Sequence, residues 1–117
     1  MTRKKQEEAK LSPYRSMWVI AMFDLPVGTR ENKKSYSTFR KKLLNEGFMM
    51  LQFSVYARFC SNSDSASTYR SRIQKVLPPN GQVRLIYLTD HQFGRMEVYN
   101  GKKRTAPEGR PKQIMLF

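Results

Sequence analysis

Seven consecutive apolar residues, Met17-Trp18-Val19-Ile20-Ala21-Met22-Phe23, limit this chain more than any other feature. The run has the length of a strand and falls well short of a membrane span. No polar side chain stands at alternate positions, so such a strand needs cover on both faces. It therefore belongs at the centre of a sheet. Asp24 ends the run, and Leu25-Pro26-Val27-Gly28 follows.

Helical and extended patterns then alternate. Thr29 is a plausible N-cap. Tyr36, Phe39, Leu43 and Leu44 recur at helical spacing through 30–46, and Gly47 stops that helix. In 48–60, Leu51, Phe53, Val55, Ala57 and Phe59 alternate with Gln52, Ser54, Tyr56 and Arg58, which places the apolar five on one core-facing side. The run admits one long bent strand or two short ones. Ser61-Asn62-Ser63-Asp64 offers several N-caps for a second helix with Ala66, Tyr69, Ile73, Val76 and Leu77 on one face. Pro78-Pro79-Asn80-Gly81 ends it. Residues 82–88 form a strand, Thr89-Asp90-His91 turns the chain, and 92–99 forms a partner strand. The order gives a layered α/β sandwich. With the long run split, it is the α+β, ferredoxin-like βαββαβ arrangement, both helices on one sheet face. The other face needs solvent, nucleic acid or a second protomer.

The domain expectation is a flexible basic arm over 1–14, a ferredoxin-like domain over 15–99, and a basic loop with a C-terminal strand over 100–117. That last segment would serve dimer or partner contact through Ile114-Met115-Leu116-Phe117. No signal peptide is expected from a start as charged as Arg3-Lys4-Lys5.

Charge narrows the function. The chain has 22 Lys and Arg against 9 Asp and Glu, a formal net charge of +13. Lys and Arg that neutralise phosphates release counterions, which favours nucleic acid as the partner. A membrane surface would need a basic amphipathic helix with a free apolar face, and here the apolar faces are needed for the core. The basic residues fall into the N-terminal arm, the first helix and a tail holding Lys102, Lys103, Arg104, Arg110 and Lys112. Each group taken alone reads as a solvated face.

One Cys and one His exclude a zinc site and leave Cys60–His91 as the sole candidate for thiol chemistry. The better reading of that pair is a small buried hydrophobe and a solvated turn residue. A lone cysteine forms no internal disulfide, and a cytoplasmic location is expected. Neither a P-loop nor G-x-G-x-x-G is present. Asp24 alone reads first as a turn former. A hard cation such as Mg²⁺, however, uses one or two carboxylates plus water and phosphate, and two copies across a two-fold axis would supply a pair.

Phe23-Asp24-Leu25-Pro26, Arg30 on a basic helix, Glu46-Gly47-Phe48 and Gln52-Phe53-Ser54-Val55-Tyr56 together resemble one family. It is the small CRISPR-associated adaptation protein, the ferredoxin-like partner of the CRISPR integrase, in its type II form. The resemblance implies a homodimer with facing sheets and an Mg²⁺-dependent endoribonuclease with Asp24 as catalytic and metal-holding residue. It also implies a complex with integrase dimers that captures double-stranded DNA as new spacers in antiviral defence. In the nuclease role, Arg30 and Arg40 would offset phosphate charge and Ser54 would orient substrate. In the scaffold role, Arg30, Lys33, Lys34, Arg40, Lys41, Lys102, Lys103 and Arg104 would bind nucleic acid. The alternatives are a toxin-type RNase, or an RNA-binding module of the same fold. The latter wants exposed strand aromatics in a G-F/Y-G/A-F-V-x-F/Y pattern. Gly47-Phe48-Met49-Met50-Leu51-Gln52-Phe53 does not match it.

Overall fold

The apolar run becomes β1 (Met17–Asp24), an inner strand of a four-stranded antiparallel sheet. A computed structural model describes residues 12–111. After β1 come α1 (Arg30–Asn45), β2 (Met49–Gln52), β3 (Val55–Cys60), α2 (Ser63–Gln74) and β4 (Gln82–Thr89). A short helix, α3 (Asp90–Gly94), and a hairpin of β5 (Val98–Asn100) and β6 (Lys103–Thr105) complete the order. The sheet runs β2-β3-β1-β4, the ferredoxin-like order. Strands β1 and β3 are the inner pair, so both need cover on two faces.

One face is closed by the helices. Val19, Ala21 and Phe23 of β1 pack with Tyr56 and Cys60 of β3 against Phe39, Leu43, Ala66 and Ile73. Local signals set these helices. Thr29 caps α1, its Oγ1 accepting from Asn32 N–H at 3.1 Å. At the other end Gly47 takes φ 85°, so that its N–H donates to Leu44 O and the Phe48 N–H donates to Leu43 O. This is a Schellman stop, with Leu43 and Phe48 buried as its apolar contact. Asn62 caps α2, its Oδ1 2.8 Å from Ser65 N.

The opposite face carries Trp18, Ile20, Ala57 and Phe59, closed at one end by Phe93 of α3. The Phe93 ring stacks on Trp18 with centroids 4.0 Å apart. The Asp90 carboxylate accepts from Trp18 Nε1 at 2.8 Å and from Arg110 Nη2 at 2.7 Å. Residues 12–16 dock beside α3, where His91 N–H donates to Pro13 O.

The open choice over 48–60 is resolved, and several expectations change. The run 48–60 is two strands joined by Phe53-Ser54, with Ser54 at φ 63°. Phe53 therefore leaves the core-facing stripe and is 85% exposed. Tyr56 is buried instead, because β3 is an inner strand with apolar partners on both faces. Helix α2 stops at Gln74, short of Val76 and Leu77, since residues before Pro78-Pro79 are steered out of the α region. Thr89-Asp90-His91 opens a helix rather than a turn, and 92–99 is no single strand. A capping box holds α3: Thr89 Oγ1 accepts from Gln92 N–H, and Gln92 Oε1 accepts from Thr89 N–H. Within 100–112, Asn100-Gly101 turns a hairpin that makes 103–105 a strand, with Gly101 at φ 62°. The N-terminal arm up to residue 11 and the tail strand 114–117 lie outside the described residues.

Candidate metal and nucleic-acid site

Strand alternation decides where Asp24 points. Trp18, Ile20 and Met22 face away from the helices, and Asp24 is next in that row. Its backbone is held from three sides. The preceding ring, Phe23, is caged by Tyr36, Phe39 and Tyr56, with centroids 5.7, 5.2 and 5.7 Å away. The Phe23 N–H donates to Ser54 O at 3.0 Å. Gly81, at φ 91°, presses on Asp24 from β4's side. A Cβ there would stand 2.6 Å from the Asp24 carbonyl oxygen. The result is a fixed strand end with an exposed carboxylate.

A cleft of about 210 Å³ opens at this end, lined by Asp24, Phe53, Ser54, Gln82 and Arg84 among others. Of the expected site residues, the fold brings Ser54 to Asp24. The Ser54 hydroxyl lies 3.2 Å from the Tyr36 hydroxyl, which ties the β2–β3 loop to α1. Arg30 and Arg40 do not line the cleft. Ten residues apart on one helix, they are separated by about 15 Å of rise. Arg40 lies on the helix side, where its Nε donates to the buried Tyr56 hydroxyl at 2.8 Å. Lys33, Lys34 and Lys41 are exposed along α1, and Lys102, Lys103 and Arg104 are exposed on the β5–β6 hairpin. Lys34 lines a separate groove of about 320 Å³ with Lys42 and Lys75.

Arg84 was absent from the sequence expectation, yet it supplies the cleft's cation. It pairs with Met22 in the β1–β4 register, and Gln82 pairs with Asp24. The even-numbered positions of β4 therefore share Asp24's face. The signal was present in that parity, but Ile86 and Leu88 are apolar as well, so the alternation that sets Gln82 and Arg84 apart from Val83 and Leu85 fades along the strand. Cys60 and His91 do not meet: the thiol is buried under the helices and His91 stacks near Tyr14 on the other face. Burial raises the Cys60 pKa, as expected for an inert thiol.

The donor set suits a hard cation. A carboxylate, a hydroxyl and an amide oxygen are all oxygen ligands, and Mg²⁺ completes its shell with water and phosphate. Among the described residues no three His, Cys, Asp or Glu side chains gather. The described residues of one chain thus offer part of a coordination sphere.

Known proteins share this sequence over most of its length. The family model described as "CRISPR associated protein Cas2" matches residues 17–96. A protein of Parvibaculum lavamentivorans named "CRISPR-associated endoribonuclease Cas2" is 50% identical over 101 residues, covering 86% of this chain and 100% of the relative. Proteins with the same name from Flavobacterium psychrophilum and Paracidovorax avenae are 44% and 40% identical over 108 and 107 residues. Each spans 92% of this chain, and the match covers 94% and 99% of the relatives. With the ferredoxin-like order and the strand-end Asp24 both present, the chain belongs to the Cas2 family of CRISPR-associated proteins.

Proposed function

We propose that this chain is a metal-dependent endoribonuclease and nucleic-acid scaffold that works as a homodimer with CRISPR integrase dimers in spacer acquisition. The observation that carries the reading is the placement of Asp24. Its carboxylate is exposed at a rigid strand end, on the same sheet face as an open apolar groove. The names of the relatives point to the same activity on RNA.

The groove supports the dimer. It has a volume of about 390 Å³, with Ile20, Met22, Val55, Ile86, Leu88 and Met96 among its walls. A second copy packed on this face would cover that surface. A two-fold axis near the strand end would set two Asp24 carboxylates side by side, which remedies the shortage of ligands in one chain. Asp24, with Ser54 and Gln82 nearby, would hold Mg²⁺. When bound, that ion supplies Lewis-acid stabilisation of phosphoryl charge. The chain's own residues do the rest. Arg84 offsets phosphate charge inside the cleft, and the Ser54 hydroxyl, fixed by Tyr36, orients the strand. The exposed cations of α1 and of the β5–β6 hairpin hold double-stranded DNA in the integrase complex.

The test is cleavage of single-stranded RNA by the wild type and by Asp24→Ala, with Mg²⁺ and with chelator. Loss of a principal ligand should cut the rate at least about 100-fold while light scattering still reports a dimer. Equal cleavage by both proteins would end the nuclease reading. In the integrase complex, duplex affinity should fall as salt rises and as Lys33, Lys34 and Lys41 are neutralised.

A further inference from the structure

Phe53 stands apart from the other described phenylalanines. Phe23, Phe39, Phe48, Phe59 and Phe93 are all buried, whereas Phe53 is 85% exposed. It is the most exposed large apolar side chain among the described residues. A single exposed hydrophobe needs no explanation in itself. Three further observations make this one different. The ring sits at the tip of the β2–β3 hairpin, where the chain turns through Ser54 at φ 63°. Among the described residues no ring contact involves it, and most of its surface is open to solvent. And it lines the cleft that holds the Asp24 carboxylate and the Arg84 guanidinium.

We infer that Phe53 is a stacking platform for an unpaired nucleobase, and that it selects single strands for the Asp24 cleft. The inference rests on the nuclease reading above for its substrate and adds the residue that recognises it. An aromatic ring beside a cation and a metal-holding carboxylate matches the parts of a nucleotide: base, phosphate charge and phosphoryl oxygen. A base–aromatic stack is indifferent to sequence, because every base offers a π face. It does require that the base be free. In a duplex, both faces of each base are already occupied by neighbours, and reaching the ring would require unstacking. Phe53 therefore rewards single strands and leaves duplex binding to the basic surface. The rigidity of the turn serves this role. The Phe23 N–H to Ser54 O bond and the contact between the Tyr36 and Ser54 hydroxyls hold the loop next to the ring.

The experiment compares wild type, Phe53→Ala and Phe53→Trp by fluorescence anisotropy. The probes are a short single-stranded RNA, the same RNA with one abasic site, and a DNA duplex. Chelator is present, so that cleavage does not intrude. Phe53→Ala should weaken binding of the intact RNA about 5- to 100-fold, the loss expected for one stack. Duplex affinity should stay within about twofold, as expected of a phosphate-held complex. Phe53→Trp should restore RNA binding. Intact RNA should also quench the emission that this substitution adds, because native Trp18 is buried; the abasic probe should bind more weakly. Unchanged RNA affinity in Phe53→Ala would overturn the inference. So would an equal loss for RNA and duplex, or a change of dimer mass, which would mean that the ring packs on a second copy. The two readings fail separately. RNA binding through Phe53 without cleavage in Mg²⁺ sinks the nuclease reading and leaves the platform. Cleavage and binding indifferent to Phe53 sink the platform alone.

Discussion

The two faces of the sheet are built from the same two inner strands and finished differently. On the helix face the side chains of β1 and β3 meet α1 and α2, and polar atoms there find protein partners. The Tyr56 hydroxyl takes a bond from Arg40, and the Tyr69 hydroxyl takes one from Arg58, whose guanidinium also lies 3.9 Å over the Tyr69 ring. On the other face α3 closes only the Trp18 end. Toward Asp24 the same strands border a groove, a cleft and an exposed aromatic ring. Folding is complete on one face and left unfinished on the other. The residues assigned to chemistry lie on the unfinished side, while the helix face fixes their positions from behind.

If that division is right, damage to the helix face should act through stability. Phe39 is fully buried and packs edge-on against Phe23 at 5.2 Å. Phe39→Ala should cost about 3–5 kcal/mol, the range for a buried phenylalanine that leaves a cavity. Denaturant unfolding measures it. A loss under about 1 kcal/mol would mean that the aromatic cage behind Asp24 is looser than its geometry says. Such a result would blur the contrast between the faces.

Gly81 is where the faces touch, and its substitution should show both effects at once. Its φ of 91° is the left-handed region, and an added Cβ would meet backbone atoms of Asp24 and Leu25 at 2.6 and 3.0 Å. Backbone at the end of an inner strand cannot step aside as a flexible side chain can. Gly81→Ala should cost about 1–3 kcal/mol from strain. It should also shift Asp24, so that cleavage falls by more than the loss of folded protein explains. A variant that loses stability and activity in proportion would show that Asp24 tolerates displacement.

How much of this was legible depends on how local each signal is. The central strand, the Thr29 cap, the Gly47 stop and the strand-end position of Asp24 follow from residues adjacent in sequence. Phe53 was misplaced because a two-residue loop preserves the parity of an alternating run. Leu51, Phe53 and Val55 look like one unbroken stripe although the chain reverses between them. Tyr56 was misassigned because an inner strand is buried on both faces, so alternation stops being informative there. Helix α3 is too short to show a period, and its capping box is only Thr89 and Gln92. Arg84 reaches the Asp24 cleft through pairing of β1 with β4, which sets it opposite Met22, 62 positions away, and no window of sequence contains both.

The unfinished face permits the finest test, because its residues should matter to assembly far more than to folding. Ile86 is 37% exposed in a single chain and pairs with Ile20 across β1 and β4. Ile86→Asp gives up part of a burial and some strand propensity, a cost of about 1 kcal/mol to the monomer. In a dimer joined through this face, the same carboxylate would be buried without a partner. That penalty is several-fold larger, about 3–5 kcal/mol. Sedimentation should therefore show the dimer falling apart under conditions where thermal melting of the fold hardly moves. If Ile86→Asp remains dimeric, the partner copy docks elsewhere, and the pairing of two Asp24 carboxylates loses its structural support. If it unfolds outright, the groove is part of the core rather than a surface awaiting cover, and the two faces are more alike than they look.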